Sequence, residues 1–440
     1  MFRLVIEKAP ANNQMELLSV YTHIGVRPRK SLEQRGNKAS TTDGYWVVKE
    51  GDIICNKLLA WMGAIGASHY QGVTSPAYDI LRPIKSCNTD YYHFLFRTKK
   101  YLQQFKIRSR GIMDMRLRLY FDQFGQIPIP VPPLPEQDQI VTYLRVQDAH
   151  IARFIKAKRD LIKLLTEQKL RIIDHAVTRG LDSSVALKPS GIEWLGEVPE
   201  NWEVAYLKHA ATVFSSSVDK HSHDHEYPVR LCNHSDVYAN DRIVEGLAFM
   251  HATATTSEIS RFTLKAGDVI ITKDSVNPAI IGIPAWVPED LPGVICAYHL
   301  TMIRPRLDRI RGEYLFRLLS SPKFAERFPM LATGVTIVGL SRHDIKNTAI
   351  PVPPIEEQAT ICRWISDQSR PIDEAIQRTE EEIKLIHEYR DRQIADVVTG
   401  QVDVRGWQPA PDDVVDDAAL AALGDENEDV TEEEDGDGQN

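Results

Sequence analysis

The chain of 440 residues has no apolar run approaching the roughly 18 residues that a membrane helix needs. Its opening, Met1 to Lys8, has no secretory layout, because Glu7 breaks a very short apolar stretch. Cysteine is scarce: Cys55, Cys87, Cys232, Cys296 and Cys362 are odd in number and lack C-x-x-C spacing. That argues against a disulfide framework and a zinc site, and it points to a reducing, cytoplasmic compartment. Catalytic signatures are missing too. No G-x-x-x-x-G-K-[ST] loop is present to cradle a nucleotide, and no G-x-G-x-x-G follows a strand. No Asn or Asp precedes Pro-Pro-aromatic, the adenine pocket of amino-methylating enzymes. The only Pro-Asp, Pro411-Asp412, has no nuclease cluster around it. Together these absences point away from an enzyme.

What is present begins with charge. The net charge of −9 is concentrated: thirteen Asp and Glu stand between Asp412 and Asp437, with no Lys or Arg beyond Arg405. Without them the body carries +4, compatible with a nucleic-acid partner. An acidic, Gly-rich stretch with few large apolar residues cannot offset its ordering entropy, so residues 406–440 are expected to be a disordered tail.

An internal repeat at an offset of 221 residues sets the architecture. Ile129-Pro130-Val131-Pro132-Pro133 recurs as Ile350-Pro351-Val352-Pro353-Pro354, and Glu136-Gln137 recurs as Glu357-Gln358. About twenty of 54 aligned positions are identical. In each copy the prolines stiffen an extended run, and an acidic residue then opens a long apolar stripe. The first stripe is Ile140, Leu144, Ile151, Ile155, Ile162, Leu165, Ile172 or Ile173, and Ala176. The second is Ile361, Ile365, Ile372, Ile376, Ile383, Ile386, Ile394 and Val397. Spacings of three, four and seven predict amphipathic helices with coiled-coil character. Residues 136–179 carry net +3 and residues 357–400 net −4, so the two helices suit each other, and an approximate two-fold relation would make the pair antiparallel. Pro371 interrupts the second stripe and predicts a kink or a fresh helix start there.

Residues 1–128 and 190–349 show no convincing similarity to one another. Both carry short β-like runs broken by turn residues, such as Tyr45-Trp46-Val47-Val48, Asp52-Ile53-Ile54-Cys55 and Asp268-Val269-Ile270-Ile271-Thr272. The fold class is therefore α+β, with two α/β modules separated by two long helices in an internal repeat.

Several residues in the modules suit DNA. The first has Arg27, Arg29 and Lys30, then Lys57, Trp61, Arg108, Arg110 and Arg116. The second has Asn233, Lys273, Asp274, Ser275, Thr336 and Arg342. Arginine can fork onto guanine O6 and N7 while other cations meet phosphate. For any one of them a surface salt bridge or a phosphate contact is the more ordinary role. His221, His223 and His225 in H-S-H-D-H lack further convincing ligands and read as a solvated or DNA-facing loop, with no metal expected. A surface presented twice can hold two copies of one partner. The shared elements Pro132, Pro133, Glu136 and Gln137, with Pro353, Pro354, Glu357 and Gln358, are the expected subunit interface.

The ordered elements I-P-V-P-P-L-P-E-Q-D-Q-I (129–140), V-T-R-G-L-D (177–182), S-G-I-E-W-L-G-E-V-P-E-N-W-E-V (190–204), I-P-V-P-P-I-E-E-Q (350–358) and V-V-T-G-Q-V-D-V-R (397–405) carry a resemblance. The chain resembles the specificity subunits of type I restriction-modification systems over nearly its full folded length. That resemblance implies a target recognition domain at 1–135, a central spacer helix at 136–182, a second recognition domain at 183–355 and a C-terminal spacer helix at 356–405. It also implies that each domain reads half of a bipartite site in double-stranded DNA. The partners would be two copies of an adenine methyltransferase subunit, joined by restriction and translocase subunits. The chain itself would carry no cofactor, S-adenosylmethionine, ATP and Mg belonging to those partners. Pro199-x-x-Trp202-x-x-x-x-Leu207 opens the second domain as expected. The first has no equivalent, so either its start lies upstream of Met1 or it lacks an opening strand. A coiled-coil adaptor that never touches DNA and a DNA-acting enzyme of unfamiliar type are the alternatives.

Overall fold

The computed structural model describes residues 1–22, 24–29, 42–112, 117–415, 420 and 423. They form two compact units, Met1–Leu161 with Thr379–Asn440, and Ile162–Arg378.

The head of the first unit contains β1 (Phe2–Val5), β2 (Leu18–Tyr21), β3 (Gly25–Pro28), β4 (Trp46–Val48), β5 (Ile53–Asn56), β6 (Ile65–Ala67), β7 (Gly72–Thr74) and β8 (Tyr78–Pro83). Helices α1 (Thr89–Phe96), α2 (Lys99–Arg108) and α3 (Phe121–Phe124) follow. Its main sheet is antiparallel, in the order β1-β8-β5-β6. Successive residues of a strand point to opposite faces. Ile53, Cys55 and Leu81 therefore join the aromatic core under α1 and α2. Ile54 and Ile80 face the other way, onto Leu18, Val20, Val26 and Val48 of the smaller sheets. Burial of both faces is why Asp52-Ile53-Ile54-Cys55 reads as a continuous apolar run rather than an alternating one.

The second unit adds a hairpin, β9 (Leu187–Pro189) with β10 (Glu197–Pro199), and a two-stranded sheet of β11 (Glu203–Tyr206) with β21 (Ala349–Val352). Between these lie α5 (Leu207–Ala210), β12 (Ala211–Ser215), β13 (Tyr227–Cys232), α6 (His234–Ala239), β14 (Met250–Ala254) and α7 (Thr256–Phe262). Then come β15 (Val269–Thr272), β16 (Asp274–Ser275), β17 (Pro284–Trp286), β18 (Val294–Cys296), β19 (Leu300–Pro305), α8 (Gly312–Leu319), α9 (Pro322–Leu331), β20 (Val338–Gly339) and α10 (Arg342–Lys346). The main sheet runs β12-β19-β15-β17, again antiparallel. Val269, Ile271 and Ile303 face one core, and Ile270 and Met302 face the other.

The heads, unlike in sequence, thus share a frame. In the first, Arg82 forks onto Asp52 (Nε–Oδ1 2.8 Å, Nη2–Oδ2 2.7 Å). In the second, Arg304 forks onto Asp268 at the same two distances, 2.8 and 2.7 Å. Both carboxylates are buried just before a central strand, and both arginines sit one residue from the end of the neighbouring strand. The two α/β modules, without convincing similarity in sequence, are thus alike in the strand order of their main sheets. One difference remains: among the described residues of the first unit, no strand pairs with 127–131 as β11 pairs with β21.

Two long helices, α4 (Leu134–Arg179) and α11 (Ile355–Val398), each contribute to both units. Within the first unit Tyr143 meets Gln393, Asp148 meets Arg390 and Lys158 meets Glu382, an antiparallel register. Within the second, Lys169 meets Asp373. Ile140, Leu144, Ile155, Ile173, Ala176, Ile361, Ile365 and Val397 are buried, as the stripes require. Ile162, Leu165, Ile383 and Ile386 are half-buried, because only one helix covers each there. The helix does not begin afresh at Pro371; α11 runs through it. Lys158–Glu382 and Lys169–Asp373 follow the expected sense of basic α4 with acidic α11, while Asp148–Arg390 is reversed and more enclosed than either.

The acidic stretch begins anchored. The Tyr143 and Trp407 rings meet edge to face, Gln139 donates to the Trp407 carbonyl at 2.6 Å, and His150 lies 2.8 Å from Asp413. Beyond Val415 only Leu420 and Leu423 are described, so most of the tail expected to be disordered lies outside the described residues.

Candidate nucleic-acid interface

In the first head, four of the expected cationic and aromatic residues come together. Lys57 follows β5, and its carbonyl accepts the Leu119 N–H at 2.8 Å. That bond draws in the loop closed by the reciprocal pairing of Arg110 with Arg118. Trp61 lies on the short 3-10 turn Ala60–Met62, under the end of α2, with Lys106 Nζ 4.6 Å above its ring. Arg108 closes α2, its Nε buried with no hydrogen-bond partner among the described residues, and Arg110 reaches Asp122 at 3.1 Å. Lys57 is not a free cation: its Nζ lies 3.3 Å from the Pro76 carbonyl and 3.5 Å from Asp79. Burial raises the Asp79 carboxyl above its ordinary value in spite of Lys57. Arg27 ends its reach on the Val26 carbonyl, on β3, and Arg29 follows that strand, so both belong to the smaller sheet. Lys30 and Arg116 lie outside the described residues.

In the second head Lys273 repeats Lys57. Its carbonyl accepts the Leu340 N–H at 2.8 Å, and its Nζ holds the Tyr298 carbonyl at 2.9 Å. Pro76 and Tyr298 each stand two residues before the strand that follows, so both lysines tie down the same loop. Asp274 receives Lys273 at 3.3 Å and contacts His299 Nδ1, and the Tyr298 ring packs 3.7 Å from the His299 ring. His234, whose Nε2 is buried with no partner among the described residues, is pushed below the usual histidine range by burial and then by the charge of His299. Ser275 turns its hydroxyl onto the Asn277 N–H, and Asn233 opens α6 with its own N–H on Asp236. Thr336 is exposed on the loop between Thr333 and Gly339. Arg342 spends its guanidinium on the Val213 carbonyl at 3.1 and 2.8 Å, which holds α10 to β12. Sequence reasoning reached His234 only as part of Asn233-His234-Ser235-Asp236 and missed His299. A lone histidine in a loop carries no signal until strand pairing sets it beside an aspartate.

The expected subunit interface needs correction at its centre. Gln137 is buried: its Oε1 accepts the Asn88 N–H at 2.9 Å and its Nε2 donates to the Pro132 carbonyl at 2.8 Å. Gln358 does the same with Arg311 (2.8 Å) and Pro353 (2.9 Å), and adds the Arg309 carbonyl at 3.0 Å. Glu357 accepts the Trp202 indole N–H at 2.9 Å. These side chains repeat because each fastens a head to its helix, and Gln137 and Gln358 present no surface to a partner. Pro353 is buried as well, whereas Pro133 and Pro354 are exposed and Pro132 and Glu136 half-exposed. The head-to-helix joint is completed by Tyr91, donating to the Val398 carbonyl at 3.0 Å, and by Tyr314, donating to Val177 at 3.1 Å.

Two α/β heads whose main sheets share one strand order, each with a lysine-anchored loop cluster and each clamped to a long helix, define a duplicated recognition module. The chain belongs to the family described as type I restriction modification DNA specificity domain, which matches residues 31–164 and 199–385. Among its relatives is the type I restriction enzyme MjaVIII specificity subunit of Methanocaldococcus jannaschii. The two are 25% identical over 366 residues, covering 82% of this chain and 81% of that one. The type I restriction enzyme EcoKI specificity subunit of Escherichia coli strain K12 is 23% identical over 354 residues, covering 78% of this chain and 72% of that one. A chain from a solved structure concerning complex assembly and conformational transition of the type I R-M system shares the fold. It has a TM-score of 0.58 and 14% identity, with 81% of this chain and 84% of that one covered. No helix among the described residues is long and apolar enough to cross a membrane.

Proposed function

We propose that this chain is the DNA-reading specificity subunit of a type I restriction-modification complex and that it carries no catalytic centre of its own. The observation that carries the reading is the duplication of one frame with different loop chemistry. Arg82–Asp52 and Arg304–Asp268 lock sheets of the same strand order, while the loops differ: Trp61, Arg108 and Arg110 in one head, Asp274, His299 and Thr336 in the other. Like frames with unlike loops are what two different half-sites require, since phosphate contacts position a protein and base contacts specify. The loop cations serve the first task, and the side chains between them serve the second. The repeated helix faces offer equivalent seats to two copies of an adenine methyltransferase subunit, with restriction and translocase subunits joining that assembly. S-adenosylmethionine, ATP and Mg belong to those partners, and the complex works in the cytoplasm.

The test is a domain exchange. Replacing residues 1–128 with the first head of another family member should change one half of the methylated site and leave the other as it was. Methylome sequencing that finds both halves altered, or neither, would refute the reading. Native mass spectrometry of the saturated complex should count two methyltransferase subunits per chain.

A further inference from the structure

The segment that follows α11 runs back along α4 as a strap. Gln139 Nε2 donates to the Val404 and Trp407 carbonyls at 3.3 and 2.6 Å. The Trp407 ring meets Tyr143, and Asp413 lies 2.8 Å from His150. A turn fixes the exit of the strap: the Asp413 N–H donates to the Ala410 carbonyl at 3.0 Å, and the Ala410 N–H to the Asp413 carboxylate at 2.7 Å. The strap therefore advances in the same direction as α4. At 3.6 residues per turn, positions 139, 143, 150, 154, 157 and 161 fall within about 60° of one another, so it follows a single stripe of the helix.

Past His150 that stripe turns apolar. Phe154 and Leu161 continue it, with exposed Ala157 as a hollow between them. Lys158 carries the face across to α11, since its Nζ lies 5.2 Å from the Phe154 ring and pairs with Glu382. On α11, Leu385 and Tyr389 stand between Glu382 and Gln393, the residue that holds Tyr143, and steps of three and four keep all of these on one face. Phe154, Leu161, Leu385 and Tyr389 are 41–62% exposed. Singly such residues are ordinary, but on adjoining stretches of two paired helices they make one apolar patch.

Beyond Arg405 the chain has one run of six apolar residues, Ala418-Ala419-Leu420-Ala421-Ala422-Leu423, with Asp416-Asp417 before it and Gly424 after it. Aspartate at the start, alanine and leucine within and glycine at the end are the signals of a short helix. Of this segment only Leu420 and Leu423 are among the described residues. At helical rise they come about 10 and 15 Å past Asp413, while Phe154 and Leu161 lie about 6 and 17 Å past His150. On the same count Asp416 and Asp417 come level with exposed Arg153, which flanks the stripe.

We propose that residues 416–424 dock on the face made by Phe154, Leu161, Leu385 and Tyr389, with Leu420 and Leu423 as the anchors. The strap already fastened to the same stripe delivers the segment there at a high effective concentration, which a free partner lacks. The tail is thus an intramolecular cover, and the face is closed to other partners while it is seated. Nothing in this depends on the DNA-reading assignment above.

The experiment replaces Phe154 with the photo-crosslinker p-benzoylphenylalanine in the full chain, free of other subunits. The position is half exposed and the replacement is aromatic, so the fold is kept. Irradiation and peptide mapping should join residue 154 to the peptide holding Leu420 and Leu423, with a yield unchanged by dilution. Leu420→Asp with Leu423→Asp should lower that yield about 10-fold or more, as loss of two buried leucines requires. Leu420→Met with Leu423→Met should retain it. Absence of a crosslink to the tail overturns the proposal, as does a crosslink that the aspartates leave intact. A yield that falls on dilution would give the face to a second copy of the chain and overturns it too. So does a face that crosslinks only to an added methyltransferase subunit.

Discussion

The two heads share the strand order of the main sheet and one ion pair on it but differ in their loops, and that ion pair shows how closely the frame is kept. Arg82–Asp52 and Arg304–Asp268 have the same fork, the same place at the head of a central strand and the same distances. Their surroundings are not the same. Arg82 has a second acidic neighbour, Glu7, at 3.4 Å, whereas Arg304 Nη2 also donates to the Thr263 carbonyl at 2.9 Å. A head that exists to vary its loops needs a core interaction that specifies the fold without depending on those loops. A doubly hydrogen-bonded pair with a buried carboxylate and a mostly covered guanidinium meets that need, and its partners suffer when either is lost.

The sharpest way to break the likeness is to remove the carboxylate. Asp268→Ala leaves Arg304 without a counter-charge and should cost about 3–5 kcal/mol. Asp52→Ala should cost less, because Glu7 remains near Arg82. Urea denaturation of the two variants decides it, and equal losses would show that Glu7 does not substitute.

The next largest effect concerns the glutamine clamps. Gln358→Leu removes three hydrogen bonds and leaves the Arg311 N–H unsatisfied, while Gln137→Leu removes two. Roughly 2–4 kcal/mol for Gln358 and 1–3 kcal/mol for Gln137 follow from about 1 kcal/mol per bond plus the unsatisfied donor. Differential scanning calorimetry should rank them in that order.

Acid should separate the heads more gradually. His93 lies buried against Gly25 and Gly66, and burial, then the charge of Arg97, pushes it down to about 3. Its folded value is below its unfolded one, so the unfolded chain binds more protons between about pH 6.5 and 3, and the first head loses stability as pH falls through that window. His69 acts in the opposite sense. Its hydrogen bond to Asp90 (3.1 Å) raises its value, so its contribution is present below its unfolded value and fades as pH rises through the folded one. His93 is the enclosed group and dominates on the acid side. Hydrogen exchange read peptide by peptide from pH 6.5 to 4.5 should show the first head losing protection, and His93→Asn should flatten that slope. A slope unchanged in the variant would assign the acid sensitivity elsewhere.

The smallest effects are expected on the helices. Lys158→Ala and Lys169→Ala break pairs with partly exposed partners and should change stability by about 0–1 kcal/mol. Asp148→Ala, facing the enclosed Arg390, should exceed both in thermal melts.

Much of this architecture was legible in the chain. The I-P-V-P-P runs, the glutamate-glutamine pairs and the heptad-like stripes predicted α4 and α11, because a helix buries one face at a fixed period and its sequence must repeat that period. The candidate site was legible only as composition. Lys57 and Trp61 were picked out for charge and aromaticity, yet the Lys57 ammonium is turned to Pro76 and Asp79. Gln137 and Gln358 were noticed because they repeat, but repetition does not say whether a residue repeats to meet a partner or to hold its own domain.

The likeness of the heads escaped an ungapped comparison for a physical reason. The buried ion pair spans 30 residues in the first head and 36 in the second, since loop length on a surface changes stability little while a buried fork tolerates no change of partner. Sequence by itself determined the two helices, their complementary charge and the number of heads, all of which follow from local period and composition. Tertiary structure alone decided that the main sheets of the two heads share one strand order and that the repeated glutamines face inward. Those facts depend on pairings between residues far apart in the chain, and no local pattern records a pairing.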